Sequence, residues 1–238
     1  MLVRSAITLT LASVLVAAGP ARAQAPQPDG RWAELNFDLA EYRFHKGDHS
    51  IAIESNASWG GDTDRIVVKV DAGGEVGRRI DSIDAQLLWS HAIGANVVLL
   101  GGVRHEFRPS PHATYAVAGV EGTPLPGLAA EAYVFLSEDG DLTGEIKAVH
   151  EWEIVPRLTV QPLAALSFAA QDAPVQGLGS GFTEAEFGLR LRYELAKPFA
   201  PYIGISHTRL LGRTRRIAHA AGDNEVATDF IVGFSASF

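Results

Sequence analysis

Residues 227–238 read ATDFIVGFSASF and decide the predicted fold. Alternate positions place five apolar side chains on one face: Phe230, Val232, Phe234, Ala236 and Phe238. A period of two with one apolar face predicts a β-strand. Such a strand at the end of a chain is typical of a membrane barrel, because its last strand must pair with the first to leave no edge in lipid. The closing strand of a soluble sandwich or lipocalin-like barrel is the alternative.

Strand-like runs continue through most of the chain, separated by short segments rich in Gly, Pro, Asp and Asn. We predict twelve of them, at residues 32–45, 49–59, 64–73, 79–91, 95–108, 112–121, 127–137, 141–153, 157–171, 182–195, 200–210 and 226–238. Spacing this regular predicts one all-β domain without an internal linker. The expected fold is a transmembrane, up-and-down antiparallel β-barrel of about twelve strands.

The polar face of these strands carries charges of both signs. In the run 182–195, Phe187 and Leu189 lie on one face, whereas Glu186, Arg190 and Arg192 lie on the other. If the charged face pointed outward, Arg side chains would lie in lipid. Each one near the bilayer midplane would destabilise the barrel by about 2–4 kcal/mol. The barrel prediction therefore turns the charges toward the lumen, where carboxylate–guanidinium pairs are expected.

The predicted connections differ in length between the two ends of the barrel. With the N-terminus in the periplasm, the two longest connections, 172–181 and 211–225, lie outside the cell. The connections on the periplasmic side, such as 60–62 and 154–156, are short. Long outer loops with short periplasmic turns are typical of outer-membrane barrels.

The N-terminal region has the pattern of a secretory signal peptide. Arg4 precedes the uncharged apolar run 6–18, and Ala21-Arg22-Ala23 fits a small-x-small cleavage site. The predicted organisation is a signal peptide at 1–23, a short flexible leader at 24–30 and the barrel at 31–238. No stretch is long and apolar enough to predict a transmembrane helix. The expected location is the bacterial outer membrane.

Composition narrows the classes of partner. Removal of Arg4 and Arg22 with the signal peptide changes the formal net charge from −8 to −10. An acidic chain is a poor partner for nucleic acid and a better one for cations. There is no cysteine, and the only methionine is Met1. The predicted mature chain therefore offers no sulfur ligand to a metal.

Several sequence motifs resemble those of the copper resistance protein B family. VRHEFRP at 103–109 is similar to the RHDFRP stretch of that family. The other similar stretches are SEDGDL at 137–142, AAQDAP at 169–174, GLGSG at 177–181, LRLRYE at 189–194, FAPY at 199–202 and AAG at 220–222. They occur in the order of the family, over about residues 41–238.

This resemblance implies an outer-membrane barrel that acts in copper tolerance or homeostasis by binding or passing copper ions. The resemblance also implies that the protein acts together with periplasmic copper-handling proteins. Members of the family often carry a Met- and His-rich segment before the barrel, whereas the leader 24–30 has neither residue. Because imidazole and carboxylate ligands remain, Cu(II) is the expected form of the bound copper ion. The expected partners are outer-membrane lipid and copper ions, and we expect a monomer.

Histidines near the predicted outer connections are the candidate metal ligands. His45 and His49 flank the first outer turn, with Asp48 between them, and His112 follows the turn after residue 108. His105 has the parity of the lipid-facing side, unless a bulge turns it inward beside Glu106. The predicted metal ligands are His105, Glu106, His45, His49 and His112. A solvated loop for His45 and His49, and an interfacial imidazole for His105, are the alternatives.

The inward carboxylates allow two further interpretations. They are Glu106, Glu131, Glu145, Glu184 and Glu186. They could relay a divalent cation, or pair with Arg104, Lys147, Arg190 and Arg192 and plug the lumen. The second arrangement fits a narrow channel for another small solute. The sequence contains no GxSxG or HExxH motif and predicts a protein that is not an enzyme.

Overall fold

A computed structural model describes residues 32–45, 49–77, 80–196 and 198–238. The predicted signal peptide 1–23, the leader 24–30 and Asp48 lie outside these residues. The strands lie where the alternating pattern predicts them. They are β1 Trp32–Phe44, β2 His49–Gly60, β3 Asp64–Glu75, β4 Ser82–Gly94, β5 Val97–Arg108, β6 Ala113–Leu125, β7 Leu128–Ser137, β8 Leu142–His150, β9 Trp152–Val155, β10 Leu158–Ala169, β11 Gly181–Tyr193, β12 Phe199–Leu210 and β13 Val226–Ser237. In the described ranges, no helix combines the length and apolarity needed to cross a bilayer.

The strands form one closed antiparallel barrel. Apart from β8 and β9, each strand pairs with its neighbours in sequence, and β13 returns to pair with β1, as the sequence predicted. The short β9 and the preceding β8 both pair with β10 and form one interrupted wall strand, so the barrel has twelve strands. At the seam, the backbones of Leu35 and Phe238 exchange hydrogen bonds of 2.9 and 3.1 Å. Closure therefore leaves no free edge in the wall.

The distribution of side chains is the reverse of that in a soluble protein. Among the described residues, forty large hydrophobic side chains are exposed, whereas only seventeen hydrophobic residues are buried. Twenty-two polar or charged residues are buried, among them Lys147, Asp84 and Glu41. An apolar surface this extensive needs a partner, and a wall of alternating strands fits lipid. This pattern confirms the inward assignment of the charged faces.

Two ends of the barrel can be distinguished, and we name them by their connections. The turn end carries residue 32, Phe238 and the short connections, such as 61–63 between β2 and β3. The loop end carries the connections 170–180 and 211–225. Three exposed tryptophans, Trp59, Trp89 and Trp152, lie toward the turn end, as in an interfacial aromatic girdle.

A helix forms in the longest connection at the loop end, where the sequence predicted only a loop. Helix α1 spans Gly212–Ala221. Its Thr214 is fully buried, and the Thr214 hydroxyl accepts a hydrogen bond from the backbone N–H of Gly179 at 3.0 Å. A helix of ten residues is marginal alone in water, so contacts with the 170–180 connection account for its presence.

Ion pairs fasten α1 to its surroundings. Arg213 pairs with Asp172 at 3.0 Å, and Arg215 and His219 both contact Glu225. The backbone N–H of Ser180 and, to a smaller extent, Arg213 lower the pKa of Asp172. Hydrogen bonds donated by Arg215 and His219 lower the pKa of Glu225. Both carboxylates therefore keep their charge to more acidic pH than free side chains do.

Part of the lumen is filled by a close contact between β6 and β7. Tyr133 lies directly opposite Gly119, and a Cβ on Gly119 would stand 2.4 Å from the Tyr133 ring. The Tyr133 hydroxyl accepts a hydrogen bond from Lys69 Nζ at 2.9 Å and donates one to Glu121. Leu88, Leu100 and Val117 pack around the same ring. Glycine at 119 thus permits the ring to join an apolar cluster to an ion pair.

Acidification should loosen α1 while the barrel remains closed. A lowered carboxyl pKa stabilises the folded contact above the ordinary value of about 4, and this stabilisation is lost as the pH falls through the lowered pKa. We expect the α1 amides to lose protection from hydrogen exchange at about pH 2–3 relative to about pH 7, after correction for intrinsic rates. Amides of β10 and β11 are the internal control. Unchanged protection of α1 in acid would contradict the role of Asp172 and Glu225.

Replacement of Gly119 should destabilise the barrel. Gly119→Ala forces the Tyr133 ring or the strand to move, at a cost of roughly 1–3 kcal/mol for overpacking. Urea unfolding of the refolded barrel in lipid should show a lower midpoint for this variant. Gly94→Ala is the matched control, because a Cβ on Gly94 meets no atom within 4 Å. Equal midpoints for the two variants would show that the Gly119–Tyr133 contact does not limit stability.

Candidate functional site

A cavity of about 370 Å³ opens at the loop end and is the candidate site. Strands β4 to β8 supply most of its wall, and the 3₁₀ helix Pro174–Gln176 contributes Gln176. The charged side chains that line it are six acids, Asp81, Asp84, Glu106, Asp139, Asp141 and Glu145, and two bases, Arg104 and Arg108. This excess of carboxylates makes the cavity attractive to cations.

Arg104 organises the floor of the cavity. Its guanidinium lies 3.2 Å from Asp84 Oδ1 and 3.0 Å from Glu106 Oε1. The Tyr115 hydroxyl donates to the other Glu106 oxygen at 3.1 Å and accepts from the Gln176 amide at 3.2 Å. These contacts join β4, β5 and β6 to the 170–180 connection. Glu106, a predicted metal ligand, is therefore engaged by a cation and a hydroxyl.

His105 and Glu106 lie on opposite faces of the wall. Glu106 points into the cavity, whereas His105 shares the outward side with Val103 and Phe107. Of the two irregularities in the β4–β5 register, the one near His105 falls at Phe107, which is skipped between the pairs Ile83–Arg108 and Asp84–Glu106. His105 thus keeps the lipid-facing parity that the alternation predicts, and it does not join Glu106.

His105 and His112 are brought together at the β5–β6 connection. Their ring centroids are 6.2 Å apart, and the planes are tilted by 30°. His112 lines the cavity and is exposed. His105 is half-buried, and its Nδ1 lies 2.9 Å from Thr114 Oγ1. An Nδ1–H that donates to this hydroxyl leaves Nε2 as a lone-pair donor.

His45 and His49 make different contacts. His45 follows β1, and its Nδ1 lies 2.7 Å from Asp229 Oδ1 on β13. His49 begins β2, and its ring contacts the aromatic rings of Phe44 and Tyr42 at centroid distances of 5.5 and 5.7 Å. The two imidazoles therefore have separate environments. Within the described ranges, no group of three or more His, Cys, Asp or Glu residues is arranged to hold a metal ion.

The interior beyond the cavity contains further ion pairs, of which Lys147–Glu131 joins residues that the sequence suggested would pair. Lys147 lies 3.7 Å from Glu131, and Arg190 lies 2.7 Å from Glu41. Lys69 reaches from β3 to Glu121 on β6 at 2.7 Å. Glu186 accepts a hydrogen bond from Ser206 at 2.7 Å. Of these contacts, Lys69–Glu121 and Arg190–Glu41 join strands that are not neighbours in the wall.

Sequence reasoning missed three parts of the site. Asp84 and Tyr115 were not singled out, although both occupy inward positions of their strands. The contribution of Gln176 depends on the path of the 170–180 connection, which has no periodic pattern. The pairing of His105 with His112 could have been suggested by their positions on either side of one tight connection.

Solved structures with a similar fold are outer-membrane porins. The NanC porin matches with a TM-score of 0.57 and 13% identity, over 85% of this chain and 98% of its own. The KdgM porin matches with a TM-score of 0.52 and 12% identity, over 86% and 99%. At these identities the similarity concerns the fold alone, and it confirms the porin-like barrel.

Relatives found by sequence similarity point to one family, whereas the solved structures show only the fold. Copper resistance protein B of Escherichia coli is 35% identical over 197 residues, which cover 83% of this chain and 66% of that protein. The Copper resistance protein B homolog of Pseudomonas syringae pv. tomato (strain ATCC BAA-871 / DC3000) is 30% identical over 196 residues, or 82% and 66%. The chain therefore spans 66% of the length of these relatives.

A family model extends the match to the whole barrel. The model described as Copper resistance protein B precursor (CopB) covers residues 31–238. The sequence motifs, the closed barrel and these matches agree over the same region. The chain belongs to the copper resistance protein B family.

Proposed function

We propose that this barrel acts in copper tolerance from the bacterial outer membrane, by binding copper ions at its loop end and passing them across the membrane. The observation that carries the proposal is the pair of imidazoles, His105 and His112, at the edge of an acidic cavity. Family membership supports the copper-related role, and the porin-like fold supports the location. No catalytic step is part of the proposal.

The spacing of the two rings suits one ion between them. With metal–nitrogen distances of about 2.0–2.1 Å, two imidazoles that face each other across an ion have centroids about 6.3 Å apart. The His105 and His112 centroids are 6.2 Å apart. Metal-binding histidines usually engage their second nitrogen in a hydrogen bond, as His105 does with Thr114. Small rotations of the exposed His112 would complete the arrangement.

The cavity supplies the electrostatic attraction. Its carboxylates outnumber its guanidinium groups, and a concave acidic surface raises the local concentration of cations. Water would fill the remaining positions around the ion. Nitrogen and oxygen ligands without thioether or thiolate favour Cu(II) over Cu(I). We further propose that the barrel is monomeric in outer-membrane lipid and passes copper to or from a periplasmic copper-handling protein.

Copper titration of the refolded barrel tests the imidazole pair. We expect saturable Cu(II) binding, followed by calorimetry and tryptophan fluorescence, and a loss of affinity of about tenfold or more in His105→Ala and in His112→Ala. Mg(II) is the reference ion for weak, non-specific binding. His207→Ala is the matched control, because His207 on β12 makes the same kind of contact, with the hydroxyl of Thr228 on β13 at 2.8 Å.

The variants also locate the site if it lies elsewhere. Loss of Cu(II) binding only in the double variant His45→Ala/His49→Ala would move the site to the β1–β2 connection. No binding beyond that of Mg(II), or undiminished binding in all variants, would overturn direct copper binding by these histidines.

A narrow channel for another small solute is the second candidate. The open cavity of about 370 Å³ at one end of a porin-like barrel favours it. If the barrel is such a channel, we expect a steady conductance in a planar bilayer that does not change when Cu(II) is added. The copper proposal predicts that Cu(II) changes the conductance of the wild type but not that of His105→Ala. A barrel that conducts identically with and without Cu(II) would favour the channel.

A further inference from the structure

The region between Glu194 and Asp223 contains no acidic residue. It contains four arginines, Arg209, Arg213, Arg215 and Arg216. The chain as a whole is acidic, with a formal net charge of −8. Positive charge is therefore concentrated where β12 ends and α1 begins, at the loop end of the barrel.

Two of these arginines have carboxylate partners and two do not. Arg213 and Arg215 both form ion pairs with acidic side chains. Among the residues that the structure describes, Arg209 and Arg216 form no ion pair and no side-chain hydrogen bond, and both are exposed. We call Arg209 and Arg216 the arginine patch. Their guanidinium groups are available to a ligand from outside the chain.

Arg209 lies on the lipid-facing side of β12. Exposed and less exposed residues alternate along this strand, and Arg209 shares its face with the exposed Ile203 and Ile205. Its direct partners on the neighbouring strands are Ala185 and Val226, which are both uncharged. An arginine on the lipid face is costly at the bilayer midplane and tolerated near the interfaces. The depth of Arg209 in the bilayer therefore decides what it contacts.

The length of β12 places Arg209 at the level of the lipid headgroups. The exposed Phe199 begins β12 at the turn end, where its ring contacts those of Phe234 and Phe238 at centroid distances of 6.4 and 6.2 Å. Arg209 is ten residues further along the strand. At a rise of about 3.4 Å per residue and a tilt of about 35–45°, this corresponds to about 24–28 Å along the membrane normal. The apolar band of outer-membrane barrels is about 25 Å tall, so Arg209 lies at the opposite interface.

Arg216 lies on the side of α1 that faces the periphery of the barrel. The helix buries Thr214 and Ala218, and Thr214 is bonded to Gly179 of the 170–180 connection. At about 100° per residue, Arg216 is about 180° around the helix from the middle of this buried face. The 170–180 connection lines the cavity at the mouth of the lumen. Arg216 therefore points away from the lumen.

The two guanidinium groups are near enough to act on one lipid surface. Gly212 begins α1 three residues after Arg209, a separation of at most about 11 Å. Arg216 is about one helical turn further, or about 6 Å. The Cα atoms of the patch are therefore within about 17 Å of each other. We propose that the arginine patch binds the phosphate groups of an anionic lipid in the leaflet that surrounds the loop end.

The chemistry of the patch favours a phosphate-bearing lipid. A guanidinium group offers five N–H donors in a planar fork that matches phosphate oxygens. Basic residues beside a bilayer attract anionic lipids. Ile203 and Ile205 lie below Arg209 on the same face, where acyl chains cover them. One lipid thus satisfies both the cation and the apolar wall, whereas a free phosphate ion would meet the arginines alone.

This site is separate from the proposed copper pair. The patch lies on β12 and α1, whereas His105 and His112 flank the β5–β6 connection. Because the residues differ, loss of one function leaves the other measurable. The double variant Arg209→Gln/Arg216→Gln should keep its Cu(II) affinity, and His105→Ala should keep its lipid affinity.

Native mass spectrometry of the refolded barrel in a non-ionic detergent tests the patch. Lipid A, a glycolipid with two phosphate groups, is the probe, and phosphatidylcholine, with a zwitterionic headgroup, is the reference lipid. We expect saturable lipid A binding to the wild type and an affinity lower by about tenfold or more in Arg209→Gln/Arg216→Gln, because charge-assisted hydrogen bonds are lost. Arg157→Gln is the matched control. Arg157 is an exposed arginine that forms no ion pair within the described ranges, and it lies in the β9–β10 connection at the turn end.

A variant that conserves charge separates recognition of phosphate from simple attraction. Arg209→Lys/Arg216→Lys keeps both positive charges but loses the planar fork. We expect its lipid A affinity to lie between those of the wild type and the glutamine variant. The Tm in lipid-free detergent shows whether each variant is folded. The lysine variant carries the test if the glutamine variant does not refold.

Four results would overturn the proposal. The first is equal lipid A affinity in the wild type and both double variants. The second is an equal loss of affinity in Arg157→Gln, which would mean that net charge alone controls binding. The third is equal binding of phosphatidylcholine and lipid A. The fourth is displacement of lipid A by inorganic phosphate at an equal concentration of phosphate groups, which would indicate a site for the free ion.

Discussion

The pairing of β1 with β13 is the constraint on which the rest of the structure depends. Lipid offers no hydrogen-bond partner, so each unpaired backbone group in the bilayer costs several kcal/mol. The seam between Asn36–Phe44 and Phe230–Ser237 satisfies both edges at once. Because closure fixes every strand between two neighbours, each side chain must face either lipid or lumen. The inside-out distribution of apolar and charged residues follows from this single condition.

In the polar lumen of this barrel, long side chains reach strands that are not their neighbours in the wall. Lys69 spans from β3 to β6, and Arg190 on β11 meets Glu41 on β1. The apolar cluster around Tyr133 occupies another part of the same interior. Loss of one member of a buried ion pair leaves the other uncompensated, so these contacts hold the interior in one arrangement. Open volume is found where the connections diverge, at the loop end.

The barrel fold of this family is shared with other proteins. The NanC and KdgM porins have a similar barrel at 12–13% identity, and a shared fold does not by itself imply a shared function. In this chain, the side chains around the β5–β6 connection are two imidazoles, one on the outer side and one at the rim, and carboxylates within. The chain spans 66% of the length of its curated relatives, so these features describe the barrel and not the whole of those proteins.

The sequence by itself determined the strands, their inward faces and the long connections of the loop end, because alternation of apolar and polar residues is a local property of each strand. It could not predict α1, whose ten residues depend on Gly179, Asp172 and Glu225 for stability. Nor could it pair His105 with His112 or place Arg216 near Arg209. Those relations depend on register between strands and on the path of the connections. A shift of one residue would turn a carboxylate from lumen to lipid, and only the closed tertiary structure decides that register.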